Sequence, residues 1–224
     1  MIEGEDLTVP LAPRSDKSTG EYVPSTANTT PFAIQWTDLS FSVPVKGQGN
    51  KLILDKLSGH LSSGELLALI GGSVSGKTTL LNCLSQRFGK YPSHTLTGTI
   101  LVDGNPPSPS RMKKISSYLE QEEYFHPNLT VREIVDFVLQ LSGGTEDRQK
   151  KINDIAMELN LLPCLDTRIG SFDNRGISGG ETRRLSLGVE LIFDRTIVFL
   201  DEPTSGLDSF NSLLVMSILK RLTK

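Results

Sequence analysis

The sequence predicts an α/β fold: an N-terminal antiparallel β unit, then a sheet layered between helices with its chemistry at the strand ends. Two observations predict it. The run "ELLALI" (65–70) is apolar on both faces and leads into the glycine-rich "GGSVSGKTT" (71–79), after which helical periodicity begins. The run "TIVFL" (196–200) is also apolar throughout and stops at two carboxylates, Asp201 and Glu202. Uninterrupted apolar runs of this length, separated by amphipathic segments, suit strands covered on both faces by helices.

In chain order, residues 1–31 are acidic at first and rich in Ser, Thr and Pro. They read as a disordered leader and resemble neither a signal nor a transit peptide. "FAIQWTDLSFSVPV" (32–45) alternates large apolar with polar residues, "KGQGN" (46–50) is a hairpin turn, and "KLILDKLSGHL" (51–61) a second strand. A helix is expected from Lys77 to Phe88, with Leu80, Leu81 and Leu84 on one stripe. "TLTGTILVDGNPP" (95–107) reads as strand and turn, and "KKISSYLEQ" (113–121) as a strand entering a polar loop. Thr130 and Glu133 form a capping box for a helix ended by Gly143, a second helix follows over 146–162, and the pair reads as an added helical lobe. Ser178 and Glu181 open another capped helix (178–193) carrying Leu185, Val189 and Ile192 at helical spacing. "SFNSLLVMSILKRL" (209–222) is a final amphipathic helix.

Composition bounds the function. A chain of 224 residues holds one α/β domain with a small lobe, and a net charge of −3 gives no basic footprint for nucleic acid. Cys83 and Cys164 lack metal-ligand spacing and read as reduced thiols. No apolar stretch reaches the ~20 residues that a membrane span requires.

Residues 71–79 fit G-x-x-x-x-G-K-[ST] between a strand and a helix, the setting in which backbone N–H groups and a helix N-terminus wrap phosphates. Lys77 reaches the β- and γ-phosphates and Thr78 offers a hydroxyl to Mg²⁺. Gly71, Gly72, Ser73, Val74, Ser75, Gly76, Lys77, Thr78 and Thr79 are thus candidate nucleotide-binding residues. Val74 is awkward, because a β-branched residue fits φ > 0 poorly. Its replacement by glycine is expected to tighten ATP binding. Asp201 and Glu202, at the carboxyl end of a strand, suit a metal-orienting acid followed by a general base. "GISGGETRR" (176–184) opens a helix with exposed backbone donors, which reads either as a plain cap or as an anion site.

The succession of phosphate loop, Gln121 in "YLEQEEYF", "SGGE" and "IVFLDEPTSGLDS" resembles the nucleotide-binding domain of an ABC transporter. "LTVREIVDF" and "GISGGETRRLSLGVELI" narrow the likeness to the G (white/pleiotropic drug resistance) subfamily, over residues 32–224. The resemblance implies a phosphate-loop NTPase sheet with an antiparallel β subdomain and a helical subdomain. It implies ATP and Mg²⁺ as ligands, with Thr78, Gln121 and Asp201 at the metal and Glu202, Lys77 and Gln121 in hydrolysis. Ser178, Gly179, Gly180 and Glu181 would contact the nucleotide of a second such domain, and Ser205–Asp208 would lie at the dimer interface. A transmembrane partner, a cytoplasmic-side location and export of lipids, sterols or other hydrophobic compounds are also implied. Thr182 departs from the basic or amide residue usual there. The adenine-stacking aromatic would fall at or near Val43, with Phe41 a possible substitute.

In the family a histidine that contacts the γ-phosphate ends a strand some tens of residues beyond the segment matching Ser205–Asp208, yet sixteen residues follow Asp208 and none is His. His60, His94 and His126 lie upstream and read as surface residues. The expectation is a partial domain lacking a central strand, either the N-terminal portion of a longer transporter or an incomplete gene product, and unstable alone. Its alternatives are a soluble ABC ATPase without a transport role and a nucleotide binder without turnover.

Overall fold

A computed structural model describes residues 33–47, 49–89, 93–121, 124–143, 147–171 and 175–223; the expected leader (1–31) lies outside them. Strand β1 (Ala33–Val45) is the centre of an antiparallel sheet of order β2-β1-β3, with β2 (Gly49–Ser62) and β3 (Thr95–Val102) at its sides. Its buried residues are Ile34, Trp36, Leu39 and Phe41, so the inward phase switches from even to odd positions. A register shift between Trp36 and Leu39, with Asp38 at φ 50°, accounts for the switch: one extra residue flips every later side chain to the other face.

The second sheet pairs β4 (Ser116–Leu119) with β5 (Ile197–Leu200) in parallel, Ser116 opposite Ile197 and Leu119 opposite Leu200. Period-2 alternation divides its side chains between two cores. Tyr118, Ile197 and Phe199 join a cluster with the antiparallel sheet and with Leu80, Cys83 and Leu84 of helix α1 (Lys77–Ser85). Leu119 and Leu200 face the other cluster, built from α3 (Val131–Leu141), α4 (Arg148–Glu158), α5 (Gly179–Ile192) and α6 (Ser209–Leu222). The strands are thus sandwiched between helices, as the sequence predicts. Both expected capping boxes are formed, Thr130 with Glu133 and Ser178 with Glu181.

Three expectations are corrected. Residues 65–70 form no strand: among the described residues nothing pairs with them, and Leu66, Leu67 and Ile70 are exposed, Ile70 by 95%. An apolar run becomes a strand only beside a neighbour that takes up its N–H and C=O groups. Residues 113–115 are helical, closing α2 (Pro109–Ile115), which Ser108 caps by accepting from the Arg111 N–H; strand begins only at Ser116. Helix α1 stops at Ser85, where Gln86 turns left-handed at φ 56° and its N–H meets the Asn82 and Cys83 carbonyls, short of Phe88.

Candidate functional site

The loop 71–79 folds over the first turn of α1. Gly76, the helix N-cap, has φ 94°, and a Cβ there would come within 2.9 Å of Leu54, so this corner admits no side chain. No side chain caps α1 and no acid lies in its first turn. Its N-terminal amides are open to an anion, with the positive end of the helix behind them. Lys77 Nζ donates to the carbonyls of Gly71 (3.0 Å) and Gly72 (2.9 Å), which holds an ammonium in the hollow of the loop.

The end of β5 arrives at the same place. Thr78 Oγ1 donates to Asp201 Oδ1 at 3.0 Å, and Asp201 is buried. Glu202, exposed and at φ 48°, accepts from Gln121 Nε2 at 3.1 Å. Gln121 follows β4 as Asp201 and Glu202 follow β5, and parallel pairing brings both strand ends to one edge. A cavity of about 340 Å³ opens there, lined by the loop from Val74 to Thr79, by Glu202, and by Lys51, Leu52 and Ile53 of β2. Lys77 and Glu202 therefore face one space.

These residues suit a magnesium–triphosphate group. An uncapped helix start, a glycine corner that a Cβ would fill and an ammonium over the loop suit the phosphates. A hydroxyl, a carboxylate and an amide oxygen form the all-oxygen donor set that Mg²⁺ takes.

The residues Ser178 to Glu181 do not line this cavity. They cap their own helix: Glu181 Oε2 accepts from the Ser178 N–H and hydroxyl, both at 2.7 Å, while Ser178 Oγ accepts from the Glu181 N–H. Burial pushes the Glu181 carboxyl up, but the bonds from Ser178, with Cys164 and the Arg184 charge, outweigh it and hold the pKa below the ordinary value. Gly180 is fixed by packing, since a Cβ would strike the Asn211 side chain at 2.7 Å.

Two further expectations are corrected. Phe41 is not open to an adenine ring: it is 1% exposed and stacks on Phe88 at 6.2 Å and His94 at 5.4 Å. His94, expected at the surface, is half-buried and stacks on Phe88 at 4.4 Å. Val43 is half-buried against the same cluster. Both cysteines are buried free thiols, and burial pushes Cys83 up to about 12 and Cys164 to about 11, far from thiolate chemistry at neutral pH.

Sequence reasoning passed over Lys51–Ile53, whose place at the cavity depends on the register of β2. It also passed over Arg183, buried on the stripe Gly180, Arg183, Arg184, Leu187, Gly188. Two glycines eight residues apart on that stripe mark a face that packs closely, which was the available signal.

With this geometry in place, comparison with known proteins gives a consistent result. The family described as "ABC transporter" matches residues 54–205. ABC transporter G family member 7 of Arabidopsis thaliana is 39% identical over 199 residues, covering 87% of this chain and 27% of that protein. ATP-binding cassette sub-family G member 8 of Homo sapiens is also 39% identical, covering 86% and 28%. The chain thus spans little more than a quarter of the length of these relatives. A solved structure described as a putative ABC transporter ATP-binding protein from Pyrococcus furiosus superposes with a TM-score of 0.68 at 24% identity, covering 85% of this chain and 86% of that one, which shows the fold. Among the described residues no helix is long and apolar enough to cross a membrane.

Proposed function

The chain belongs to the ABC transporter family of ATPases, and on that premise we propose that residues 32–224 act as one nucleotide-binding domain that holds ATP with Mg²⁺ beside the 71–79 loop and hydrolyses it. The observation that carries this reading is the 3.0 Å bond from Thr78 to Asp201, which joins the start of α1 to the end of β5. The loop amides and Lys77 bind the phosphates, the ammonium exchanging its two loop carbonyls for phosphate oxygens. Thr78, Asp201 and Gln121 would hold Mg²⁺, which supplies charge neutralisation on the phosphate oxygens. Glu202 takes a proton from the attacking water, and Gln121, bonded to that carboxylate, fixes its orientation.

Ser178, Gly179, Gly180 and Glu181, which do not line this cavity, act on the nucleotide of a second domain, so turnover belongs to a dimer. A relative named as an ABC transporter of the G family supports a transmembrane partner; a place at the cytoplasmic side of a membrane and export of lipids, sterols or similar hydrophobic compounds rest on the resemblance of the sequence motifs to that subfamily. Phosphate release from the purified chain tests hydrolysis. Glu202→Gln should lower turnover by about 1,000-fold with ATP affinity retained, and chelating Mg²⁺ should abolish it. Turnover indifferent to Glu202→Gln would overturn the reading.

The unpaired run 65–70 and the Lys77 contacts to its own loop favour a second reading, in which this chain binds nucleotide without turning it over. ATP binding with no phosphate release would establish it.

A further inference from the structure

Arg183 lies on the inward face of α5, 4% exposed, and its guanidinium addresses main-chain carbonyls. Nε donates to the Pro203 carbonyl at 3.2 Å. Nη1 donates to the carbonyls of Glu120 at 2.7 Å and Gln121 at 3.5 Å. Nη2 donates to those of Asp201 and Glu202, each at 2.9 Å. All five carbonyls lie just past the ends of β4 and β5, where the ladder no longer supplies partners. One planar fork closes both strand ends.

We infer that Arg183 is a positioning residue for hydrolysis: it sets the backbone that carries Gln121 and Glu202 and ties that backbone to the helix opened by Ser178. The inference rests on the hydrolytic reading of Glu202. The 3.1 Å bond between Gln121 and Glu202 exists only while their two backbones keep their separation, and Arg183 grips both. Neighbouring Arg184 does something different: it donates to the carbonyls of Leu159 at 2.9 Å and Asn160 at 3.5 Å and to the Asn211 side chain, all in the helical layer. Helix α5 therefore hangs from two adjacent arginines, one on the hydrolytic edge and one on the lobe. A movement of the Ser178 end transmits to Glu202 through Arg183. Lysine cannot replace it, because three donors on one nitrogen do not span carbonyls spread along two strands.

Steady-state ATP hydrolysis with Arg183→Lys tests the role, alongside nucleotide titration and thermal unfolding. The expected result is a kcat about 100-fold lower, with KM and ATP affinity within about 2-fold, the signature of a misplaced reacting group. Arg184→Lys is the control for a structural part: lower stability with kcat within about 2-fold. A kcat for Arg183→Lys within 2-fold of the unmutated chain, or a rise in KM alone, would overturn the assignment. Hydrogen exchange on the unmutated chain decides the coupling without relying on a variant that folds. Segments 116–121, 178–184 and 197–205 should open together, and independent opening of 178–184 would also overturn it. Absence of turnover in the unmutated chain, with the three segments still opening together, would count against hydrolysis and leave the mechanical link standing.

Discussion

At the scale of single residues, the site depends on backbone angles that its side chains resist. Val74 sits at φ 66° and is 97% exposed, so it gains no packing in return for a conformation that costs an L-residue about 1–2 kcal/mol. The residue lines the nucleotide cavity, and relief of that strain belongs to the conformation that binds. Val74→Gly should tighten ATP binding by about 5-fold, the equivalent of ~1 kcal/mol. Calorimetric titration measures it, and an unchanged or weaker affinity would mean that the bound loop carries no more strain at Val74 than the free loop does. The misfit was visible in the sequence, because a β-branched residue stands where such loops turn left-handed. The role of Phe41 was not, because whether an aromatic ring is free or stacked depends on Phe88 and His94, 47 and 53 positions away in the chain.

At the scale of elements, helix starts were legible because a cap is a local device. Thr130 with Glu133 and Ser178 with Glu181 each close within one turn, and both form. The Thr130 backbone N–H and hydroxyl hold Glu133 below the ordinary carboxyl range, and the Asn211 backbone and side chain do the same for Asp208 at the start of α6. A carboxyl with a depressed folded pKa stabilises above its unfolded value and loses that contribution as pH falls through the folded value. The caps therefore contribute fully above about pH 4.5 and fade below about pH 4. Thr130→Ala should cost about 1 kcal/mol at neutral pH. Glu181→Gln, which keeps an acceptor without a charge, should flatten the fall in melting temperature between pH 7 and pH 3; an unchanged slope would remove Glu181 from the linkage. Strands were legible only where a partner exists. The run 196–200 becomes β5 because β4 lies beside it, whereas 65–70, equally apolar, has no such neighbour among the described residues. Helix α2 escaped because its start, Ser108 before Pro109, fell between the turn ending at 107 and the strand expected from 113 and was assigned to neither, though serine followed by proline is a sound helix opening.

At the scale of the whole molecule, the unpaired run governs how the chain behaves in solution. Ile70 at 95%, Leu66 at 46% and Leu67 at 44% are exposed along one stretch that pairs with no strand among the described residues, and α6 exposes Phe210 at 64% and Leu213 at 63%. The outer edge of β5 likewise has no strand beside it among the described residues. Extended apolar backbone with open N–H and C=O groups is a template for pairing with another chain, and contiguous apolar surface adds a driving force that deepens with concentration. The purified chain should therefore bind a hydrophobic dye and associate as concentration rises, even though both cores are closed. Leu67→Lys places a charge on the run without touching either core, and so should weaken association while leaving the melting temperature of the folded part within a few degrees. Sedimentation velocity across a concentration series reads the first effect and a thermal melt the second. A monodisperse monomer at all concentrations, or a variant that associates as readily as the unmutated chain, would mean that this stretch is covered in solution and that the edge is not the site of self-pairing.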